Sequence, residues 1–339
     1  MQNQSESHSA LSTLRDNCLA LLESLQNADG GWPFQSAQQS RVEPTAWAMR
    51  ALFDRGNENP RASSESARRA AEFLRSSQLA DGSWPASPQI PTGSWITSLA
   101  CTALAGDPQS AAVVSAGLQW LCDDFPRDSS AFQRFLNSMR RGPRLSEQSD
   151  SLRGWGWTPR TSSWVEPTAF ALTALRSADP QLLPASATER CELAVALLYD
   201  RMCPGGGWNC GNPRVYGVDG EALVLATCWA LLAISDSAEK PGRAGSLTWL
   251  QNNFRQIQSA ASLAVATMTL ENYGIQLLAD DSHASAILQS GIFSSPGALA
   301  AQGTHVLSWV ALALDPNRAW PQIAKPTAAV SGSAQGARP

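Results

Sequence analysis

Three stretches of this 339-residue chain put a carboxylic acid at or near the start of an apolar helix: Val42-Glu43-Pro44-Thr45-Ala46, Val165-Glu166-Pro167-Thr168-Ala169 and Val218-Asp219-Gly220-Glu221-Ala222. Asp219 stands 11 residues after Trp208, as Glu43 stands 11 after Trp32. An acid at an apolar wall is stripped of water, keeps its proton near neutral pH and can pass it to a weak base such as an alkene. The cation so formed needs aromatic faces rather than nucleophiles, and each such face contributes roughly 0.5–2 kcal/mol. Trp47, Trp95, Phe170, Trp229 and Trp309 fall on the same apolar helices. Laying Leu307-Ser308-Trp309-Val310-Ala311 on Thr45-Ala46-Trp47-Ala48-Met49 brings His305 into register with Glu43. Each residue also has a plainer role: Glu before Pro caps a helix, Asp beside Gly makes a turn, and interior His and Trp are ordinary core.

The elements that must position these groups form a repeat. Gly30-Gly31-Trp32 returns as Gly82-Ser83-Trp84, Trp155-Gly156-Trp157 and Gly206-Gly207-Trp208, and each copy is followed by an Ala-rich apolar stretch. Trp32 to Trp84 is 52 residues and Trp157 to Trp208 is 51. A period near fifty is one supersecondary unit repeated. Thr227-Cys228-Trp229-Ala230 aligns with Thr45-Ala46-Trp47-Ala48, which leaves Asp219 on an early extension of the fourth helix. The sequence admits both registers for the fourth copy.

Each unit reads as a helical hairpin. Residues 9–26 carry apolar side chains at helical spacing, and the Asp-Gly-Gly-Trp-Pro turn stops that helix. The next helix is apolar nearly all round, so it is buried on every side, with the amphipathic one outside. Outer helices are expected near 65–79, 110–123, 187–202, 243–255 and 282–290; inner ones near 96–105, 165–177, 219–235, 260–273 and 303–314. No alternating β pattern competes. Six such hairpins close into an all-α (α/α)6 toroid spanning residues 10–318, with a central cavity. Segment 124–160, with Arg134, Arg140, Arg141, Arg144, Arg153 and Arg160, is an inserted piece whose arginines form a solvated face or hold a diphosphate. Residues 1–9 are read as a flexible N-terminus and 319–339 as a disordered tail.

Net charge is −4, so nothing draws the chain to nucleic acid. The start has no basic region followed by an apolar run, no 20-residue apolar span occurs, and seven scattered Cys fit a reducing compartment. The expectation is a cytoplasmic protein.

Gln26-Asn27-Ala28-Asp29-Gly30-Gly31-Trp32 and Gln78-Leu79-Ala80-Asp81-Gly82-Ser83-Trp84 resemble the Gln/Trp repeats of squalene–hopene cyclases and related class II terpene cyclases, over roughly residues 10–315. Protein prenyltransferase β subunits share that toroid. The resemblance implies a single-barrel, proton-initiated cyclase acting on a linear isoprenoid. The family's acid lies in an Asp-x-Asp-Asp motif followed by Thr-Ala, and this chain has no Asp-x-Asp-Asp. The order of candidate donors is Asp219, then Glu43 with His305, then Glu166, with Glu221 beside Asp219. Protonation implies no cofactor and no metal; a diphosphate substrate would bring Mg²⁺. Isoprenoids come from membranes, so peripheral contact with a lipid surface is compatible, although no inserting segment stands out. Two other readings remain. One is a non-catalytic toroid that binds a lipid, an isoprenoid or a protein. The other is a prenyltransferase-like zinc enzyme, for which Asp219 and His305 match two of three ligands while Glu221 replaces the thiolate. Cys203 and Cys210 flank Trp208 without a paired His. No Gly-Cys-Gly-Glu-Gln segment supports a thioester toroid.

Overall fold

The computed structural model describes residues 2–52, 65–127, 135, 139, 148–277 and 296–315. In chain order its helices are α1 (Gln2–Ser24), α2 (Val42–Leu52), α3 (Glu65–Ser76), α4 (Ile96–Leu104), α5 (Ala111–Asp123), α6 (Val165–Ser177) and α7 (Ala187–Asp200). They continue as α8 (Val224–Ala233), α9 (Arg243–Asn253), α10 (Ala260–Asn272), α11 (Pro296–Ala300) and α12 (Thr304–Ala313). The even-numbered helices from α2 to α12 form a closed inner ring: each packs on the next, and α12 packs back on α2. Around it, α1 covers α12 and α2, α3 covers α2 and α4, α5 covers α4 and α6, α7 covers α6, and α9 covers α8 and α10. The fold is therefore the all-α toroid that the repeat implies.

Four of the six inner helices carry a fully buried small residue at one shared register. Ala48, Ala100, Ala171 and Ala230 sit three residues after Thr45, Thr97, Thr168 and Thr227, and all four are 0% exposed. Closing the ring buries these helices on both flanks, which explains why they lack a polar face.

The Trp turn joins outer to inner helix through two hydrogen bonds. The backbone N–H of Trp32, Trp84, Trp155 and Trp208 donates to the hydroxyl of Thr45, Thr97, Thr168 and Thr227 at 2.8–3.0 Å. The indole Nε1 of each donates to a carbonyl near the end of an outer helix: Leu22, Leu74, Leu121 and Leu198. A buried indole N–H without such a partner would be costly. Gly30 is required here: its φ is +89°, and a Cβ would lie 2.5 Å from the Arg69 carbonyl oxygen.

Several expectations are corrected. The first helix begins at Gln2, not Ser9, so residues 2–9 are helical. The third repeat Trp is Trp155, not Trp157, because Trp155 makes both turn bonds. Two antiparallel hairpins also interrupt the helices: β1 (Pro85–Ser87) with β2 (Ile90–Gly93), and β3 (Arg214–Val215) with β4 (Val218–Asp219). The second hairpin turns through Tyr216 and Gly217, with φ +52° and +77°. Two successive positive φ values match the twist of the flanking strands. The fourth inner helix therefore starts at Val224, and Asp219 belongs to a strand rather than to an extension of that helix. The expected outer helix near 282–290, about half of segment 124–160 with Arg134, Arg140, Arg141 and Arg144, and the tail 319–339 lie outside the described residues; Arg153 stacks over the Phe125 ring and Arg160 is exposed. No helix among the described residues is long and apolar enough to cross a membrane.

Candidate functional site

Counting from the turn Thr gives the layout of the ring's centre. Two residues before it, at the head of each inner helix, stand Glu43, Trp95, Glu166 and Leu225; His305 holds that register on α12. Two residues after it stand Trp47, Leu99, Phe170 and Trp229, with Trp309 on α12. The positions are four apart, so they lie on one helix face about one turn, roughly 6 Å, apart in depth.

The deeper layer is an aromatic floor. Trp47 packs on Phe170 at 6.1 Å between ring centroids, on Trp229 at 5.5 Å and on Trp309 at 5.6 Å. Phe170 packs on Trp229 at 5.0 Å, and Trp229 on Trp309 at 5.5 Å. Helices α2 and α8 are opposite members of the ring, so the Trp47–Trp229 contact crosses its axis. Trp47, Phe170 and Trp229 are 1%, 5% and 2% exposed. The central cavity expected from the sequence is filled at this depth by the side chains expected to line it.

The shallower layer is open by comparison: Glu43, Trp95, Glu166, Leu225 and His305 are all half-buried. Together the two layers make a cup, with acids and a His on the wall and indoles below. Trp95 leans on Phe170 at 5.2 Å and continues the floor up the wall. Trp157 stacks edge-on against Trp95 at 5.1 Å, and its carbonyl accepts the Trp95 N–H at 3.1 Å. Trp157 is a cup residue that the repeat count hid, because it adjoins the true turn Trp. Phe34 was missed as well; it meets the His305 ring edge-on at 6.1 Å. The Thr304 N–H and hydroxyl donate to the Phe34 and Pro33 carbonyls at 3.0 and 2.6 Å, which ties the head of α12 to the first Trp turn. His305 is thereby fixed on the helix next to that of Glu43, and its ring lies 5.3 Å from that of Trp309.

Burial dominates the electrostatics of the wall. Loss of water pushes the Glu43 carboxyl up to about 7 from its usual 4.5. The helix N-terminus favours the charged form, yet the shift is upward, so desolvation wins. Burial also raises Glu166 and lowers His305, which keeps the imidazole neutral. His305 Nδ1 and Trp309 Nε1 have no hydrogen-bond partner among the described residues.

Asp219 and Glu221 are not brought to the cup. Asp219 is exposed on β4, and its carboxylate accepts from Arg214 Nε at 2.6 Å. Glu221 is exposed on the link to α8. The Thr227 hydroxyl bond to Trp208 fixes the fourth register, and Leu225 takes the acid's place there. Among the described residues no group of three metal-ligating side chains converges.

No family model matches the chain, and no curated protein matches it. Solved structures do. A variant of the type II terpene cyclase MstE from Scytonema, in complex with its substrate geranylgeranyl dihydroxybenzoate, superposes with a TM-score of 0.54 at 15% identity, over 84% of this chain and 78% of that one. A variant of the same enzyme with its product merosterolic acid A gives 0.54 at 16%, over 84% and 80%. A protein from Actinoplanes gives 0.54 at 17%, over 84% and 80%. At these identities the likeness is one of fold.

Proposed function

We propose that the cup is the active site of a class II-like terpenoid cyclase in which Glu43 protonates a linear isoprenoid. The observation that carries this reading is a carboxyl held near pKa 7 by burial alone, about one helical turn above a floor of indoles. Such an acid is about half protonated at neutral pH, and it needs no cofactor to act.

The steps balance without an outside reagent. The Glu43 proton moves to the less substituted carbon of the terminal alkene and leaves a tertiary cation. The electron pair of the next double bond attacks that cation and closes a ring. A carbon beside the final cation then loses a proton to a base, so the product is an isomer of the substrate. Trp95, Trp157 and Trp309, half-buried over the packed rings of Trp47, Phe170 and Trp229, offer aromatic surface to the cations, and none of them is a nucleophile that would trap one. His305, neutral and on the adjacent helix, is a further wall residue, and Glu166 is a second wall acid. Asp219 is set aside as donor, because an exposed carboxylate held by Arg214 has no apolar wall around it.

The test is incubation with linear isoprenoids in heavy water, reading product mass. A cyclic isomer with one added deuterium, absent in Glu43→Gln, supports the reading; full turnover in that variant sinks the assignment. The second reading is a non-catalytic toroid that holds an isoprenoid chain. It draws on the missing Asp-x-Asp-Asp motif and the filled axis. Retention of an unchanged chain would favour it.

A further inference from the structure

We infer that the aromatic floor is a depth stop, which makes this a shallow site that admits only the reacting end of a chain and leaves the rest outside the ring. The inference rests on the cup being an isoprenoid site, but it does not require that the chain react there.

The argument is geometric. A ring of six helices has an axis wide enough for a hydrocarbon only where the facing side chains leave it empty. At the second layer they do not. Trp47 from α2 reaches Trp229 from α8, directly opposite, at 5.5 Å between centroids. Phe170 closes one side of that bridge at 5.0 Å from Trp229, and Trp309 closes the other at 5.5 Å. Trp47 and Trp229 are nearly without exposed surface, so protein atoms rather than an internal void surround them. Among the described residues the wall side chains stand only one helical turn higher, roughly 6 Å above the floor. This is room for the end of a chain folded so that its last two double bonds meet, and for little more. Two large indoles packed at 32° to each other are stiff, and opening them forfeits packing on both. The floor is therefore a fixed stop, and Trp47 and Trp229 keep affinity from rising with chain length.

The consequence is a distinctive dependence of affinity on chain length. In a deep tunnel each added isoprene unit is buried and tightens binding, by about tenfold or more per unit on ordinary hydrophobic burial. Against a stop, units beyond the two that close the ring remain outside and add little.

Binding of linear isoprenols of ten, fifteen and twenty carbons would be measured by native mass spectrometry on wild type, Trp229→Leu and Trp47→Leu. The expected result is a flat profile in wild type, within about threefold across the series, and a rising one in at least one folded variant, where the twenty-carbon chain binds about tenfold tighter than it does to wild type. Helical circular dichroism selects the folded variant, and having one change on each side of the bridge guards against the loss of either. A steep profile in wild type, an unchanged profile in both variants, or no binding of any chain to any of them overturns the stop. Turnover in heavy water is read separately. A flat profile without turnover keeps the stop and rejects the cyclase, while turnover with a steep profile does the reverse.

Discussion

The first and fourth Trp turns carry the same sequence cue and end differently. Glu43 and Asp219 each follow a turn Trp by 11 residues. Glu43 sits at the head of an inner helix, half-buried, with its carboxyl raised to about 7. Asp219 sits on an exposed hairpin, paired with Arg214. The difference lies in what fixes the helix head. In the first three copies the Trp N–H reaches a Thr hydroxyl 13 residues on; in the fourth it reaches one 19 residues on. The six extra residues are accommodated by the β3–β4 hairpin. Register is thus set backward from the Thr, not forward from the Trp, and a carboxylate with the right forward offset lands in solvent.

The comparison breaks most sharply on activity. Glu43→Gln is expected to lower turnover by about 10²–10⁴, the range for a lost general acid, while Asp219→Asn leaves it within about twofold. Product formation rates for the two variants decide this, and the reverse order would restore Asp219 as donor. A second contrast is in pH. The folded state holds the Glu43 proton more tightly than the unfolded chain does, so its stabilising term is complete below about pH 4.5 and is lost as pH rises through about 7. Glu43→Gln lacks that loss. Between pH 5 and 8 it should gain about 2–3 kcal/mol relative to wild type in denaturant unfolding. Parallel curves for the two proteins would mean that the Glu43 carboxyl is better hydrated than its position implies. Wild-type turnover should fall over the same upper limb, since only the protonated acid can donate. Thr45→Val and Thr227→Val come next, each costing about 1–3 kcal/mol by stranding a buried Trp N–H. Equal costs in melting experiments would establish that both Thr residues do the same job despite unequal spacing.

The ring was legible because its cues are local: a Gly-rich turn that stops one helix, then an Ala-rich helix without a polar face. What was hidden depends on partners far apart in sequence. Trp155 and Trp157 look interchangeable until the Thr168 hydroxyl selects Trp155. The Gln of the turn is visible in the first two copies, where Gln26 and Gln78 donate to Gly30 and Gly82 carbonyls and to the following outer helix. In the third copy Arg190, from α7, takes over this bridging by donating to the Gly154 and Asp124 carbonyls, and no turn-local residue announces it. Placing Glu43, Glu166, His305, Trp47, Phe170, Trp229 and Trp309 on inner helices needed only the repeat and its register; Trp95 stands one residue before α4. Whether those aromatics line a void or fill it depends on how far indoles reach across a six-helix ring, and composition does not encode that distance.

The smallest effect tests the register argument most directly. Removing residues 214–219 would join Pro213 to Gly220, whose N–H already donates to the Pro213 carbonyl at 2.8 Å, so the ends stand close together. The excision restores the 13-residue spacing of the other copies. The residues lost are largely solvated: Val215, Tyr216 and Val218 are exposed, so little apolar burial goes with them. The Arg214–Asp219 pair is a surface pair of about 0–1 kcal/mol, and shortening a surface loop offsets part of that. The shortened protein should keep its helical spectrum, unfold within about 1 kcal/mol of wild type and turn over at the wild-type rate. If it folds but loses turnover, the hairpin contributes to the site and Asp219 regains its claim. If it fails to fold, Thr227 is not what fixes the head of α8, and the equivalence drawn between the first and fourth turns falls with it.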